Sequence, residues 1–195
     1  MFGFFKYIKR LFTDEIEVSI EDLMETYITN KITIARAHGW IGPSIKEIDF
    51  LNRNGLMACD LKSLESLGVT YKPDRLEILG AADLRIQWDH QFDTITTFKK
   101  NGGDCNSLNR IAQVYSCMMG HKSYLVTYTS IDPNKNHTTC IYQNMETGLY
   151  YDYDYGVEGT AHDDLKSCVS TIAEKYKTEV LAYVVQDMNW LFRKL

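Results

Sequence analysis

The sequence has little proline, no excess of positive charge and no long apolar run. It contains three prolines and twelve glycines among 195 residues, so long disordered linkers are not expected. The formal net charge of -5 offers no overall positive field, and we therefore expect no nucleic-acid partner. No apolar run approaches the roughly 18 residues of a membrane-spanning helix, and we expect no integral membrane span.

Paired cysteines are also missing. The five cysteines are an odd number, and no two of them form a CxxC pair. This excludes both a disulfide framework and a zinc-ribbon pattern. Reduced thiols are typical of the cytoplasm, and we predict a cytoplasmic location.

The pattern along the chain divides it into two regions. Residues 1–80 carry mostly helical patterns, with helix starts predicted at Ser19, Ser44 and Asp60. Residues 81–195 carry a strong helical pattern at 105–120, followed by β-rich segments at 123–130, 137–143, 149–155 and 179–185 and a helix at 162–177. Helices followed by an antiparallel sheet predict an α+β fold, with a helical N-terminal region at 1–80 and a core at 81–195.

The N-terminal stretch MFGFFKYIKRLF places apolar residues on one face of a helix, with Lys and Arg between them. It lacks the order of charge, apolar run and cleavage site that defines a signal peptide. We expect this helix to pack on its own domain, with partner binding or membrane-surface binding as the alternatives. Its apolar face consists of Phe4, Phe5, Ile8, Leu11 and Phe12.

The stretch GGDCNS places Cys105 at the predicted start of the 105–120 helix. The unpaired N–H groups and the dipole of a helix N-terminus favour negative charge, and the thiolate is the reactive form of cysteine. Gly102 and Gly103 allow a tight turn and a close approach of substrate to the main chain. The N–H of Cys105 can face a developing oxyanion, and Asp104 is predicted to cap the helix.

A nucleophile of this kind needs a base, and the base needs an orienting group. His137 opens a predicted strand, and the next strand carries Asp152 and Asp154. With a four-residue turn, Thr139 pairs with Asp154 and Ile141 pairs with Asp152, so both aspartates share a face with His137. A bulge at the turn would put both aspartates on the other face. The hairpin therefore permits a triad without requiring it.

Two stretches together, FDTITTFKKNGGDCNSLNRIAQVYSCMMGHKSYLVTY and HTTCIYQNMETGLYYDYDYG, resemble the core of the transglutaminase-like superfamily, within the wider papain-like group. The similarity covers roughly residues 83–160 and includes the Thr-rich turn that precedes Gly-Asp-Cys in bacterial members. It implies a core in which a central helix carrying the cysteine packs on an antiparallel sheet. A bacterial or phage source is the corresponding expectation.

The resemblance implies that Cys105 is the nucleophile, that His137 is the general base and acid, and that Asp154 or Asp152 orients the imidazole. Members of the family often carry an aromatic residue four positions before this aspartate. Tyr150 stands in that position for Asp154, which favours Asp154.

The chain departs from the family pattern after the histidine, where it has Thr138 and Thr139, and after the cysteine, where it has Asn106 in place of an acidic residue. A second oxyanion donor is expected upstream, at Gln87 or Trp88, where relatives keep such a group. Asn106 and Gly103 are further candidates for contacts with the oxyanion or the substrate.

These residues predict acyl transfer from a protein or peptide amide through a Cys thioester. A peptidase or a glutamine deamidase is favoured over a cross-linking transglutaminase. A non-catalytic interaction module and a small-molecule N-acyltransferase are the alternatives. The Cys, His and Asp fit a triad better than a zinc site, and the sequence contains no EF-hand loop, so neither a metal nor a cofactor is expected.

Overall fold

The computed structural model describes residues 44–73, 76–79, 84–87, 92–132, 135–187 and 192–193. The predicted N-terminal apolar helix, the segment that begins at Ser19, and Trp88 lie outside the described residues. Among the described helices, none is long and apolar enough to cross a membrane.

The described elements alternate between short helices and strands before the central helix, and strands predominate after it. The helices are α1 (Ser44–Arg53), α2 (Leu61–Ser66), α3 (Thr94–Lys99), α4 (Cys105–Met118) and α5 (Leu165–Lys175). The strands before α4 are β1 (Thr70–Tyr71), β2 (Leu76–Leu79), β3 (Leu84–Gln87) and β4 (Gly102–Gly103). The strands after α4 are β5 (Lys122–Ser130), β6 (His137–Gln143), β7 (Tyr150–Asp154), β8 (Val157–His162), β9 (Val180–Asp187) and β10 (Phe192–Arg193).

The main sheet has six strands in the order β10-β9-β5-β6-β7-β8. Neighbouring strands in this sheet are antiparallel. Two smaller pairs lie apart from it: β1 is parallel to β4, and β2 is antiparallel to β3. The protein is therefore a mixed α+β fold built on an antiparallel sheet.

Helices α4 and α5 cover opposite faces of this sheet. Successive residues of a strand point to opposite faces, and on β6 Cys140 and Ile141 belong to different apolar clusters. The first cluster joins Cys140 to α1, α2 and α4 through Leu51, Leu64, Leu108, Ile111 and Val114. The second joins Ile141 to β5 and α5 through Val126, Leu165, Cys168, Val169 and Ile172. His137 lies four residues before Ile141, so its side chain points to the α5 face.

A buried ion pair joins α1 to α4. The guanidinium of Arg110 donates to both carboxylate oxygens of Glu47, at 3.1 and 2.6 Å, and both side chains are fully buried. Glu47 also accepts from the backbone N–H of Thr94 at 2.8 Å, and Arg110 donates to Gln113 at 2.6 Å. Residues 44–69 thus share a core and a polar network with the cysteine-bearing helix. A domain boundary near residue 80 stays a prediction.

The structure confirms most of the predicted elements and adds others. β6 covers the predicted 137–143, and α4 begins at Cys105 as expected. The predicted helical region at 1–80 has strands at Thr70–Tyr71 and Leu76–Leu79, and the Thr-rich segment expected to be a turn is the short helix α3. β8 was not predicted because its residues are almost all exposed, and an exposed strand lacks apolar alternation.

Candidate active site

Cys105 is the first residue of α4, and its local geometry follows the sequence prediction. Asp104 has extended backbone, and its carboxylate accepts from the backbone N–H of Ser107 at 3.1 Å. This N-cap hydrogen bond fixes the start of the helix. The thiol of Cys105 is half-buried, and its Sγ lies 3.9 Å from Oδ1 of the neighbouring Asn106. The sulfur therefore lies at the positive end of a fourteen-residue helix.

The two glycines before the cysteine are required by packing. A Cβ on Gly102, whose φ is +138°, would lie 2.0 Å from the carbonyl oxygen of Thr70 on the neighbouring strand β1. A Cβ on Gly103 would lie 2.5 Å from Cβ of Ser107. The glycines thus let β4 lie close to β1 at Gly102 and close to the first turn of α4 at Gly103. A contact between Gly103 and substrate stays a prediction.

His137 and Asp154 are in direct contact. Nε2 of the imidazole lies 2.8 Å from Oδ1 of the carboxylate, and both side chains are buried. The hairpin register that permitted this contact is observed, since Ile141 pairs with Asp152 across β6 and β7. The hydrogen bond fixes the ring orientation and leaves Nδ1 on the opposite side of the imidazole.

Asp154 has further partners from both sides of the sheet. Asn109 of α4 donates to Oδ1 at 3.2 Å, and the hydroxyl of Tyr176, just after α5, donates to Oδ2 at 2.5 Å. The ammonium of Lys175 lies 3.6 Å from Oδ2. Burial raises the pKa of Asp154, but the hydrogen bond and charge of His137, the hydrogen bond from Tyr176 and the charge of Lys175 outweigh it. The net pKa lies below the ordinary value, which keeps this carboxylate ionised.

Asp152 does not contact His137. Its buried carboxylate lies directly against Gly159 of β8. A Cβ added to Gly159 would lie only 2.0 Å from Oδ2 of Asp152. Oδ1 has no hydrogen-bond partner within the described ranges. Burial is the main cause of the raised pKa of Cys168 on α5, and the negative charge of Asp152 raises it further. The structure thus brings Asp154, and not Asp152, to the imidazole.

Three tyrosine rings surround His137. The ring centroids of Tyr176, Tyr155 and Tyr128 lie 4.8, 5.5 and 6.0 Å from that of the imidazole. Burial is the main cause of the raised pKa of each phenol, and the charges of Cys105 and Asp154 contribute to all three. The rings packed around the imidazole therefore also lie within the electrostatic reach of the thiol. The charges of Cys105 and Asp154 thus act on the same three rings that pack around His137.

The other four cysteines have environments that disfavour a thiolate. Burial raises the pKa of Cys59 to about 12, although a hydrogen bond with Tyr153 opposes it. Burial likewise raises the pKa of Cys168 to about 12 and raises those of Cys140 and Cys117. Because the thiolate is the nucleophilic form, these four thiols are expected to react slowly at neutral pH.

The remaining predicted site residues are placed only in part. Asn106 is buried next to the cysteine. The backbone of Gln87 ends β3, and Trp88 lies outside the described residues. A second oxyanion donor at either position stays a prediction. In the part of the chain that the structure describes, no group of three His, Cys, Asp or Glu side chains could hold a metal ion.

Sequence reasoning did not find Asn109. Its amide donates to the carbonyl of Thr138 at 2.8 Å as well as to Asp154, and its Oδ1 accepts from the backbone N–H of Tyr155 at 2.6 Å. One buried side chain thus ties the cysteine-bearing helix to both strands of the hairpin. The sequence did contain a signal for it. Asn109 follows Cys105 by four residues, and residues at this spacing share a helix face, so Asn109 could have been expected on the same side of α4 as the cysteine.

Comparison with protein-family models, with curated proteins and with solved structures found no match for this chain.

Proposed function

We propose that this protein is a thiol-dependent acyl-transfer enzyme with a Cys105-His137-Asp154 triad on a transglutaminase-like core. The observation that carries the proposal is the 2.8 Å contact between the buried His137 and Asp154. Its support is the position of Cys105 at the start of α4, within the electrostatic reach of the same three tyrosines. A buried carboxylate bound to an imidazole, together with a half-buried thiol at a helix N-terminus, supplies the three groups that nucleophilic catalysis by cysteine requires.

In the first step, the Cys105 thiolate attacks the carbonyl carbon of an amide. The backbone N–H of Cys105, at the helix start, stabilises the negative charge that develops on the carbonyl oxygen. The C–N bond then breaks, and the His137 imidazolium gives its proton from Nδ1 to the leaving amine. Asp154 holds Nε2–H throughout, which keeps the ring in the orientation needed for this transfer.

In the second step, an acceptor attacks the thioester. His137 takes a proton from the acceptor as a general base, the C–S bond breaks, and the thiolate is restored. We propose water as the favoured acceptor and a protein or peptide as the substrate, which makes the enzyme a peptidase or a glutamine deamidase. The half-buried state of Cys105 supports this choice, since a cross-linking enzyme must keep water from its thioester.

The experiment uses p-nitrophenyl acetate, because an activated ester acylates a reactive thiolate without needing the natural substrate. We expect a burst of p-nitrophenol equal to the enzyme concentration and an acetyl group on Cys105 detected by mass spectrometry. Cys105→Ser should abolish the burst, and Cys117→Ser is the matched control because Cys117 is also half-buried. The proposal is wrong if Cys105 acylates no faster than a free thiol.

The fate of the acetyl group distinguishes the two acceptors. With added methylamine, release of acetate at an unchanged rate supports hydrolysis. Predominant formation of N-methylacetamide supports amine transfer and contradicts the choice of water.

A further inference from the structure

Tyr176 contacts both partners of the His137–Asp154 pair. Its hydroxyl donates to Oδ2 of Asp154 at 2.5 Å, and its ring centroid lies 4.8 Å from the centroid of His137, at 53° between the ring planes. The residue is the C-cap of α5, whose apolar side packs on the sheet through Leu165, Cys168, Val169 and Ile172. The packing of α5 therefore sets the position of Tyr176 against the pair.

The two carboxylate oxygens of Asp154 have different partners. Oδ1 accepts from His137 and Asn109, whereas Oδ2 accepts from Tyr176 and faces Lys175. A carboxylate bound only through Oδ1 can turn about its χ2 torsion, which has a broad energy well. A donor on Oδ2 fixes the plane of the carboxylate and so the position of Oδ1 relative to Nε2.

We propose that Tyr176 is a positioning residue of the triad, which holds Asp154 through its hydroxyl and His137 through its ring. This inference rests on the proposed function, since it concerns the formation of the Cys105 thiolate–imidazolium pair. Tyr176 acts through Asp154 and His137 and takes no part in bond making. Its hydroxyl hydrogen bond to the ionised carboxylate is a charge-assisted bond of the stronger kind.

Several other ionisable groups face Asp154 or lie within its electrostatic reach, and the test must leave them unchanged. They are His137 on β6, Lys175 on α5, Tyr128 on β5, Tyr155 after β7 and Cys140 on β6.

The test is Tyr176→Phe, which removes the hydroxyl and keeps the ring. Without the donor on Oδ2, Oδ1 is held less firmly against Nε2, and the imidazolium beside Cys105 is less stabilised. Formation of the thiolate–imidazolium pair then requires a higher pH. We expect the acid limb of the rate of Cys105 alkylation by iodoacetamide to move up by about 0.5–1 pH unit, a roughly three- to tenfold slower rate on that limb.

Tyr150→Phe is the matched control. Tyr150 lies on the same strand as Asp154, is half-buried against the same apolar cluster, and makes no hydroxyl hydrogen bond within the described residues. The Tyr150→Phe variant should leave the pH profile of Cys105 alkylation unchanged. A second readout is the imidazole N–H proton signal of His137 in NMR spectra, which should broaden in Tyr176→Phe and stay sharp in the control.

The outcomes separate this inference from the proposed function. If wild-type Cys105 alkylates slowly and His137→Ala has no effect, the triad itself is wrong. If the wild type depends on His137 but Tyr176→Phe keeps the wild-type profile, or slows alkylation equally at every pH while the melting temperature falls, only the role of Tyr176 is wrong.

Discussion

Nε2 of His137 lies 2.8 Å from Oδ1 of Asp154, although the two residues come from different strands and are 17 positions apart. His137 opens β6 and Asp154 closes β7, so the contact lies at one end of the hairpin. Helices on opposite faces of the sheet contribute to it, Asn109 from α4 and Tyr176 from the end of α5. The pair is therefore fixed by tertiary packing and not by the hairpin alone.

The first prediction distinguishes the two aspartates. Asp154→Asn should slow the alkylation of Cys105 at pH 6 by about tenfold, the change that roughly 1.4 kcal/mol of lost stabilisation produces. Asp152→Asn should leave this rate within about twofold, since Asp152 faces Gly159 and Cys168 and makes no contact with His137. Site-resolved mass spectrometry measures both rates. The reverse ranking would assign the orienting role to Asp152.

The second prediction concerns pH and stability. The folded-state pKa of Asp154 is depressed, because His137, Tyr176 and Lys175 outweigh the effect of burial. A depressed carboxyl pKa contributes stability above the unfolded value, about 3.9 for aspartate, and this contribution is lost as the pH falls through the folded pKa. The difference in unfolding free energy between wild type and Asp154→Asn should therefore shrink as the pH falls below about 4 and through the folded pKa of Asp154. Urea unfolding at each pH measures this difference, and a difference that grows as the pH falls below about 4 would contradict the assignment.

The third prediction concerns the buried ion pair between α1 and α4. Glu47→Ala leaves the fully buried Arg110 without its carboxylate partner and should lower the free energy of unfolding by about 3–5 kcal/mol. Asp49→Ala breaks an exposed pair with Arg53 on the same helix and should change it by less than about 1 kcal/mol. Urea unfolding measures both changes. If Glu47→Ala and Asp49→Ala lose the same free energy of unfolding, the buried pair does not link α1 to α4 strongly.

The fourth prediction concerns Gly102, which lies in β4, three residues before Cys105. An alanine at Gly102 would meet the Thr70 carbonyl at 2.0 Å with φ at +138°. It should lower stability by more than about 3 kcal/mol, since unfavourable backbone strain alone costs of order 1–3 kcal/mol. Gly55→Ala is the control, because Gly55 also has a positive φ but no atom within 4 Å of the added Cβ. Gly55→Ala should lower the free energy of unfolding by about 1–2 kcal/mol. An equal loss for both variants would show that β1 does not lie close to Gly102.

Local signals predicted the elements that carry the site. Asp104 and Gly120 marked the ends of α4, and the alternation and turn of the hairpin predicted the pairing of Ile141 with Asp152. These features depend on residues close in sequence, where capping and side-chain period act directly.

The choice between the aspartates could not be predicted in the same way. Asp152 and Asp154 are two residues apart and share a face, so the hairpin pattern does not distinguish them. Tyr176, which donates to Oδ2 of Asp154, is 22 positions away. The need for glycine at position 102 likewise comes from β1, because Gly102 pairs with Thr70, which lies 32 positions before it.

The most direct test of the triad is the alkylation of the native protein by iodoacetamide as a function of pH, read cysteine by cysteine, in wild type and His137→Ala. We predict that Cys105 reacts rapidly near pH 6, that Cys59, Cys117, Cys140 and Cys168 react slowly, and that His137→Ala slows Cys105 alone. A rate for Cys105 that matches the other four thiols and does not depend on His137 would contradict the triad.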